Sequence, residues 1–242
     1  IPDYVTTTRT YPAETILNTL PAYHLLTTQA DYDQCVAYDS NQIPRNSYDA
    51  RSAFNWSGTF VYNGIAYDNI NYRLRQRNAR YSNRGKRSFR FRFNRGNHVQ
   101  FHDMWGNPYP TRWRTLNSHK MHARGGTNFG LYEAANSILW NTTGTPSPFT
   151  HWFHFRVIKN SEEAPDQYHG DFYGFLLAME DYDRRFLKAH DLEEGNLYKL
   201  KSGLTEGLDV IRYHAPRGTR EGADYENIIF NLRPHQNDAW LR

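Results

Sequence analysis

Ten of the chain's 29 Lys and Arg residues fall between Arg73 and Arg95, and no Asp or Glu lies among them. Outside that stretch 19 basic residues meet 25 acidic ones, a net charge of −6. The overall charge of +4 therefore reflects a local basic stripe on an otherwise acidic protein. Arg73 and Arg75 alternate with apolar residues, as on the outer face of a strand, and Arg80 sits in the polar loop 76–85 that follows. Arginine grips phosphate through two parallel N–H bonds, and loop N–H groups add to the hold. Three readings stay open. The stripe covers the polyphosphate of a nucleotide. It forms a nucleic-acid groove with Tyr72, Tyr81 and Phe89 between the cations. Or it is a solvated sheet face whose Arg stems cover Phe rings.

A second arrangement pairs Lys86, at the opening of a strand, with Glu133, on the first long helix after it. In phosphoryl-transfer folds of the kinase type a strand lysine holds nucleotide phosphates and a helix glutamate holds the lysine. A third lies at the end of an apolar run, where Glu180-Asp181-Tyr182-Asp183 delivers carboxylates. Asp181 there is a candidate cap for the next helix, and Asp183 falls in its positive first turn. His151 and His154 fall on opposite faces of one strand. His119 and His122 have the spacing of a helix face but no nearby acid. No histidine spacing points to a metal site.

These groups need elements to hold them. Ala22 to Thr27 reads as a strand, and Gln29 to Tyr38 as a helix. Thr59 to Tyr62 and Ile65 to Asp68 flank Asn63-Gly64, a strong hairpin signal. Ile70, Tyr72 and Leu74 alternate with Asn71, Arg73 and Arg75. Phe89, Phe91 and Phe93 alternate with Arg90 and Arg92. Trp113 to Asn117 reads as a short strand. Leu131 to Trp140 reads as a helix with Leu131, Ala134, Ala135, Ile138 and Leu139 on its buried side, capped by Thr127 or Asn128. His151 to Ile158 is a strand, and Phe172 to Met179 is one buried on both faces. Arg184 to His190 is a short helix, and a strand begins at Leu197. Residues 1–20 read as an arm and 21–242 as one domain. The order predicts an α+β fold with a mostly antiparallel sheet.

Aromatic residues make up 16% of the chain, enough to build a core and too many for a disordered composition. No apolar run is long enough to span a membrane as a helix. The single cysteine, Cys35, can form neither an internal disulfide nor a cysteine metal site. Asn55-Trp56-Ser57 and Asn141-Thr142-Thr143 are sequons, with meaning in a eukaryotic secretory setting. The chain opens on Ile1 rather than Met, which is read as processing or trimming.

The segments Leu20 to Leu25, Tyr62 to Arg75, Lys86 to Phe93 and Leu116-Asn117-Ser118 follow one another in an order that resembles the CotH family of secreted, kinase-like proteins. So does the pattern formed by Gly174, Glu180, Phe186-Leu187 and Gly195-Asn196-Leu197-Tyr198-Lys199. The resemblance implies an atypical protein-kinase-like fold with an antiparallel N-lobe sheet, few helices and an incomplete C-lobe, in which Asp171 to Lys199 forms the hinge. It implies ATP with Mg, phosphoryl transfer to Ser or Thr of secreted or surface proteins, and a secreted, cell-surface or spore-coat setting. Arg73, Arg75, Arg80, Lys86 and Glu180 would line the nucleotide, and Lys86 with Glu133 would form the ion pair. Two features depart from the family. Its R-G-N-S turn reads Arg75-Gln76-Arg77-Asn78 here. Aspartate motifs resembling N-W-D and W-D-x-D are not found up to Arg242, so the expectation is either a chain cut before its catalytic lobe or an inactive relative. The runner-up is a catalytically inactive extracellular module that binds a protein or glycan, and nucleic-acid binding ranks below both.

Overall fold

The computed structural model describes residues 20–37, 55–75, 86–120, 130–164, 170–200, 208–213, 215–216 and 225. The chain divides into two units, Ile1–Asp181 and Tyr182–Arg242.

The first unit is built on a closed barrel. Its strands are β1 (Ala22–Leu26), β2 (Trp56–Tyr62), β3 (Ile65–Leu74), β4 (Phe89–Arg92), β5 (Thr115–His119), β6 (Thr150–Ile158) and β7 (Phe172–Glu180). They run in the order β1-β2-β3-β4-β5-β7-β6 and close back onto β1. The closing pair is parallel, with Tyr23 opposite Phe155 and Leu26 opposite Ile158. The other neighbours are antiparallel. Helix α1 (Gln29–Ala37) follows β1, and α2 (Leu131–Thr142) precedes β6.

This architecture corrects the kinase-like fold expected above. A kinase N-lobe is an open sheet backed by a second lobe, whereas here seven strands of mixed direction close on themselves. Closure removes both free edges, and rings fill the interior. Tyr23, Phe60, Phe91, Phe101, Phe153 and Phe155 are all fully buried. Tyr23 stacks on Phe153 at 4.4 Å, and Phe60 meets Phe91 and Phe93 at 5.3 and 5.2 Å. Tyr23, Phe60, Phe91, Phe153 and Phe155 are inward members of their strands, as the pleat requires, while Phe101 comes from the segment between β4 and β5.

The hairpin at Asn63-Gly64 forms as its sequence predicts, with φ of 51° and 72° at the two turn residues. Asn69 also takes a positive φ, where β3 bulges against Gly58 and Phe60. Helix α2 departs from its reading. It buries Ala134 and Ser137 and leaves Leu131, Tyr132, Leu139 and Trp140 more than half exposed. Ala134 packs on Leu177 of β7. The residue before the helix is Gly130 at φ 75°, with no side-chain cap; Thr127 and Asn128 lie outside the described residues.

In the second unit, α3 (Arg184–Ala189) is capped by Asp183, whose carboxylate accepts from the Arg185 N–H at 2.7 Å. The cap is thus Asp183 and not Asp181. Strands β8 (Leu197–Leu200) and β9 (Leu208–Tyr213) pair antiparallel. No helix among the described residues is long and apolar enough to cross a membrane.

Candidate functional site: a cation cluster at one end of the barrel

Register brings several cations together. Leu74 at the end of β3 pairs with Phe89 at the start of β4. Arg90 pairs with Asn117, so the segment ahead of β4 lies beside the end of β5. His119 pairs with Leu177, which brings the first half of β7 to the same end. Arg75, Lys86, Arg87, His119 and Lys120 therefore converge from three segments that are far apart in sequence.

Hydrogen bonds fix the backbone beneath them. Arg75 N–H donates to the Ser88 carbonyl at 2.8 Å. Lys120 N–H donates to Ser88 Oγ at 3.0 Å, and Phe89 N–H donates to Ser118 Oγ at 2.7 Å. The Arg87 N–H donates to the Tyr173 hydroxyl. The Lys86 ammonium donates to the Phe175 carbonyl, and an Arg75 guanidinium N–H reaches the Ser118 carbonyl at 3.4 Å.

Among the described residues the charges at this end are mostly positive. Burial, then the neighbouring Lys120, holds the Lys86 ammonium below the usual lysine range. Burial, then Arg87, does the same to Lys120, which is 5% exposed. His119 is pushed down by burial and by Arg75, Lys120 and Lys86, while Glu133 alone among its charged neighbours pulls it up. Among the described residues neither lysine ammonium is paired with a carboxylate, and Arg87 Nη1 is buried without a hydrogen-bond partner. Like charges held together out of water are costly unless an anion joins them.

The residues singled out from the sequence divide accordingly. Lys86 and Arg75 belong to the cluster. Glu133 stands beside His119 with a buried Oε2 that has no hydrogen-bond partner among the described residues, but it forms no ion pair with Lys86. Arg73 pairs with Arg90 across β3 and β4, on the sheet face. Arg80 lies outside the described residues. Glu180 is at the far end of β7, roughly 17 Å from Phe175 at about 3.3 Å per residue. It is buried there, and its Oε2 accepts from the Phe149 N–H at 3.3 Å. Asp181 is held by Arg90 at 2.7 Å and Asn117 at 2.9 Å. Sequence reading missed Lys120, which follows a strand of mixed composition and carries no motif.

The nucleic-acid alternative loses its stacking platform. Tyr72 and Phe89 point into the barrel and are fully buried, and Tyr81 lies outside the described residues. Cys35 is buried, and burial pushes its thiol up to about 12, so it is an inert core residue.

Fold and site together define a closed mixed β-barrel with a partly buried cation cluster at one end. No protein-family model and no curated protein matches the chain. The cluster fits the phosphates of ATP in charge and donor type. A divalent ion is a different matter: among the described residues no group of three or more His, Cys, Asp or Glu could hold one.

Proposed function

We propose that the chain binds the phosphates of a nucleotide at the cation cluster and takes part in ATP-dependent phosphoryl transfer to Ser or Thr of secreted or surface proteins, as the CotH resemblance implies. The observation that carries the reading is the Lys86–Lys120 pair, two partly desolvated ammonium groups without a carboxylate partner among the described residues. A phosphate anion placed between them would relieve their repulsion and accept charge-assisted hydrogen bonds from both. Arg87 and Arg75 would supply further donors.

The test is a melting series with ATP and pyrophosphate on the wild-type chain and on Lys120→Met. Binding at 100 times Kd stabilises the folded state by about 2.7 kcal/mol, and the variant should lose most of the shift. A wild-type chain that melts at the same temperature in millimolar ATP, pyrophosphate and buffer would end this reading.

One observation favours a second reading. The exposed apolar residues of α2, Leu131, Tyr132, Leu139 and Trp140, are what a catalytically inactive module would present to a partner protein. Loss of partner capture on Trp140→Ser, with ATP melting unchanged, would select this reading over the first.

A further inference from the structure

We propose that Gly174 is a positioning residue for Lys86: its missing side chain lets the lysine stem lie against the β7 backbone, where the Phe175 carbonyl fixes the ammonium. The role assigned to Lys86 rests on the cluster being an anion site.

Strand β7 is irregular at this point. Phe155 pairs with Gly174 and Arg156 with Phe172, which leaves Tyr173 as an extra residue in the ladder. Gly174 has φ of 140°, a region that L side chains rarely adopt. A Cβ built there would meet Cδ of Lys86 at 3.0 Å and its Nζ at 3.6 Å. The residues on either side of Gly174 hold the same segment. The Tyr173 hydroxyl accepts from the Arg87 N–H, and the Phe175 carbonyl accepts from the Lys86 ammonium. Three consecutive residues of an irregular strand therefore grip two consecutive residues ahead of β4. A bulge often serves to re-aim a side chain beside a functional site. Here the side chain aimed lies on the facing segment. Lysine has a long, flexible stem, and seating that stem is what would hold its charge beside Lys120 rather than in bulk water.

The test is Gly174→Ala in the 242-residue chain, read in two ways. Reductive 13C-methylation with NMR follows the Lys86 resonance, assigned by its loss in Lys86→Ala, and its titration. Calorimetry follows pyrophosphate. In the wild type Lys86 should titrate below an ordinary lysine. In Gly174→Ala its resonance should move and its titration rise, and pyrophosphate should bind about tenfold more weakly or worse, the worth of one charge-assisted hydrogen bond. An unmoved resonance and titration would overturn the proposal, as would a moved resonance with unchanged pyrophosphate affinity. If the wild type binds no pyrophosphate but the resonance moves, the phosphate reading falls and the Gly174–Lys86 contact stands. If Gly174→Ala does not fold, the wild-type Lys86 titration decides: a Lys86 that titrates as an ordinary surface lysine overturns the proposal, and one that titrates below it supports the seating of its stem.

Discussion

The Tyr23 hydroxyl and His151 Nε2 lie 2.5 Å apart in the barrel's core, both all but sealed from water. On the other side of the ring, Nδ1 lies 3.1 Å from the Tyr109 hydroxyl, which also donates to the Thr150 carbonyl at 3.1 Å. One proton arrangement satisfies every group. Tyr109 donates to Thr150, His151 Nδ1–H donates to Tyr109, and Tyr23 donates to Nε2. Two tyrosines and a neutral histidine can thus sit inside a core of phenylalanines without an orphan polar atom.

That arrangement predicts acid sensitivity. Burial is the main cause that lowers the His151 pKa to about 3 and that of His154 to about 4. Both folded values lie below the unfolded value of 6.5. The stability these histidines contribute is therefore complete above about pH 6.5 and is lost as pH falls through the folded values. Each costs about 1.4 kcal/mol per pH unit across its window. Denaturant unfolding between pH 7 and pH 4 should show this slope, and His151→Phe should remove about one proton from it. A variant with the wild-type slope would show that His151 is not buried neutral.

A second prediction concerns a buried ion cluster. Arg156 is fully buried, with Nε 3.0 Å from Glu163 Oε1 and Nη2 3.8 Å from Asp171. His24 Nδ1 lies 3.3 Å from the same Glu163 oxygen. The Asp171 carboxylate in turn accepts from the Ala164 N–H. Removing Glu163 takes away the nearer of these two carboxylates and leaves Arg156 the longer contact to Asp171, so Glu163→Ala should cost up to about 3–5 kcal/mol, and Arg156→Met with Glu163→Leu less. A double-mutant cycle by urea denaturation measures the difference. Additive losses would mean that the pair is not coupled.

How far the sequence could be read depends on how local each signal is. The Asn63-Gly64 turn and the Phe89-Arg90-Phe91-Arg92 alternation are local, and both features form. Barrel closure is not local. It rests on a parallel pairing of Ala22–Leu26 with residues 154–158, which no spacing announces. The apolar run Phe172 to Met179 was legible as a strand, but not the bulge at Tyr173-Gly174. Helix α2 misleads because its largest apolar side chains face outward, while contact with β7 falls to Ala134. The candidate site was half legible: the basic stripe pointed to Arg75 and Lys86. Lys120 arrives through strand order, and Glu180 was placed at the site by a pattern that ignores the length of β7.

The two sequons should behave differently on substitution. Asn141 uses both ends of its amide, donating to the Ser147 carbonyl at 2.9 Å and accepting from the Ser147 N–H at 2.9 Å. These bonds close the turn after α2. Asn141→Gln cannot keep both, so it should cost about 1–3 kcal/mol by thermal or urea denaturation. Asn55 is exposed ahead of β2, where a longer amide can stay at the surface, so Asn55→Gln should cost less than Asn141→Gln. Equal effects would mean that the Ser147 bonds do not hold the turn.

The lysine pair gives the anion site a pH dependence of defined sign. Lys86 and Lys120 both titrate below the ordinary lysine value of 10.5, each because burial and a neighbouring cation disfavour its charge. As pH rises the pair loses a proton earlier than surface lysines do, and the site loses half its lysine charge. Pyrophosphate affinity measured by calorimetry should therefore fall on the alkaline side before a typical lysine would titrate. The bound anion opposes this, because it favours the charged form of both amines, so binding should draw protons from the buffer over the same range. Repeating the titration in buffers of different ionisation heat counts those protons. Lys120→Met removes the repulsion on Lys86, so the residual weak binding should persist to higher pH. Affinity that stays flat to the ordinary lysine range, with no proton uptake, would show that the two ammonium groups do not share one anion.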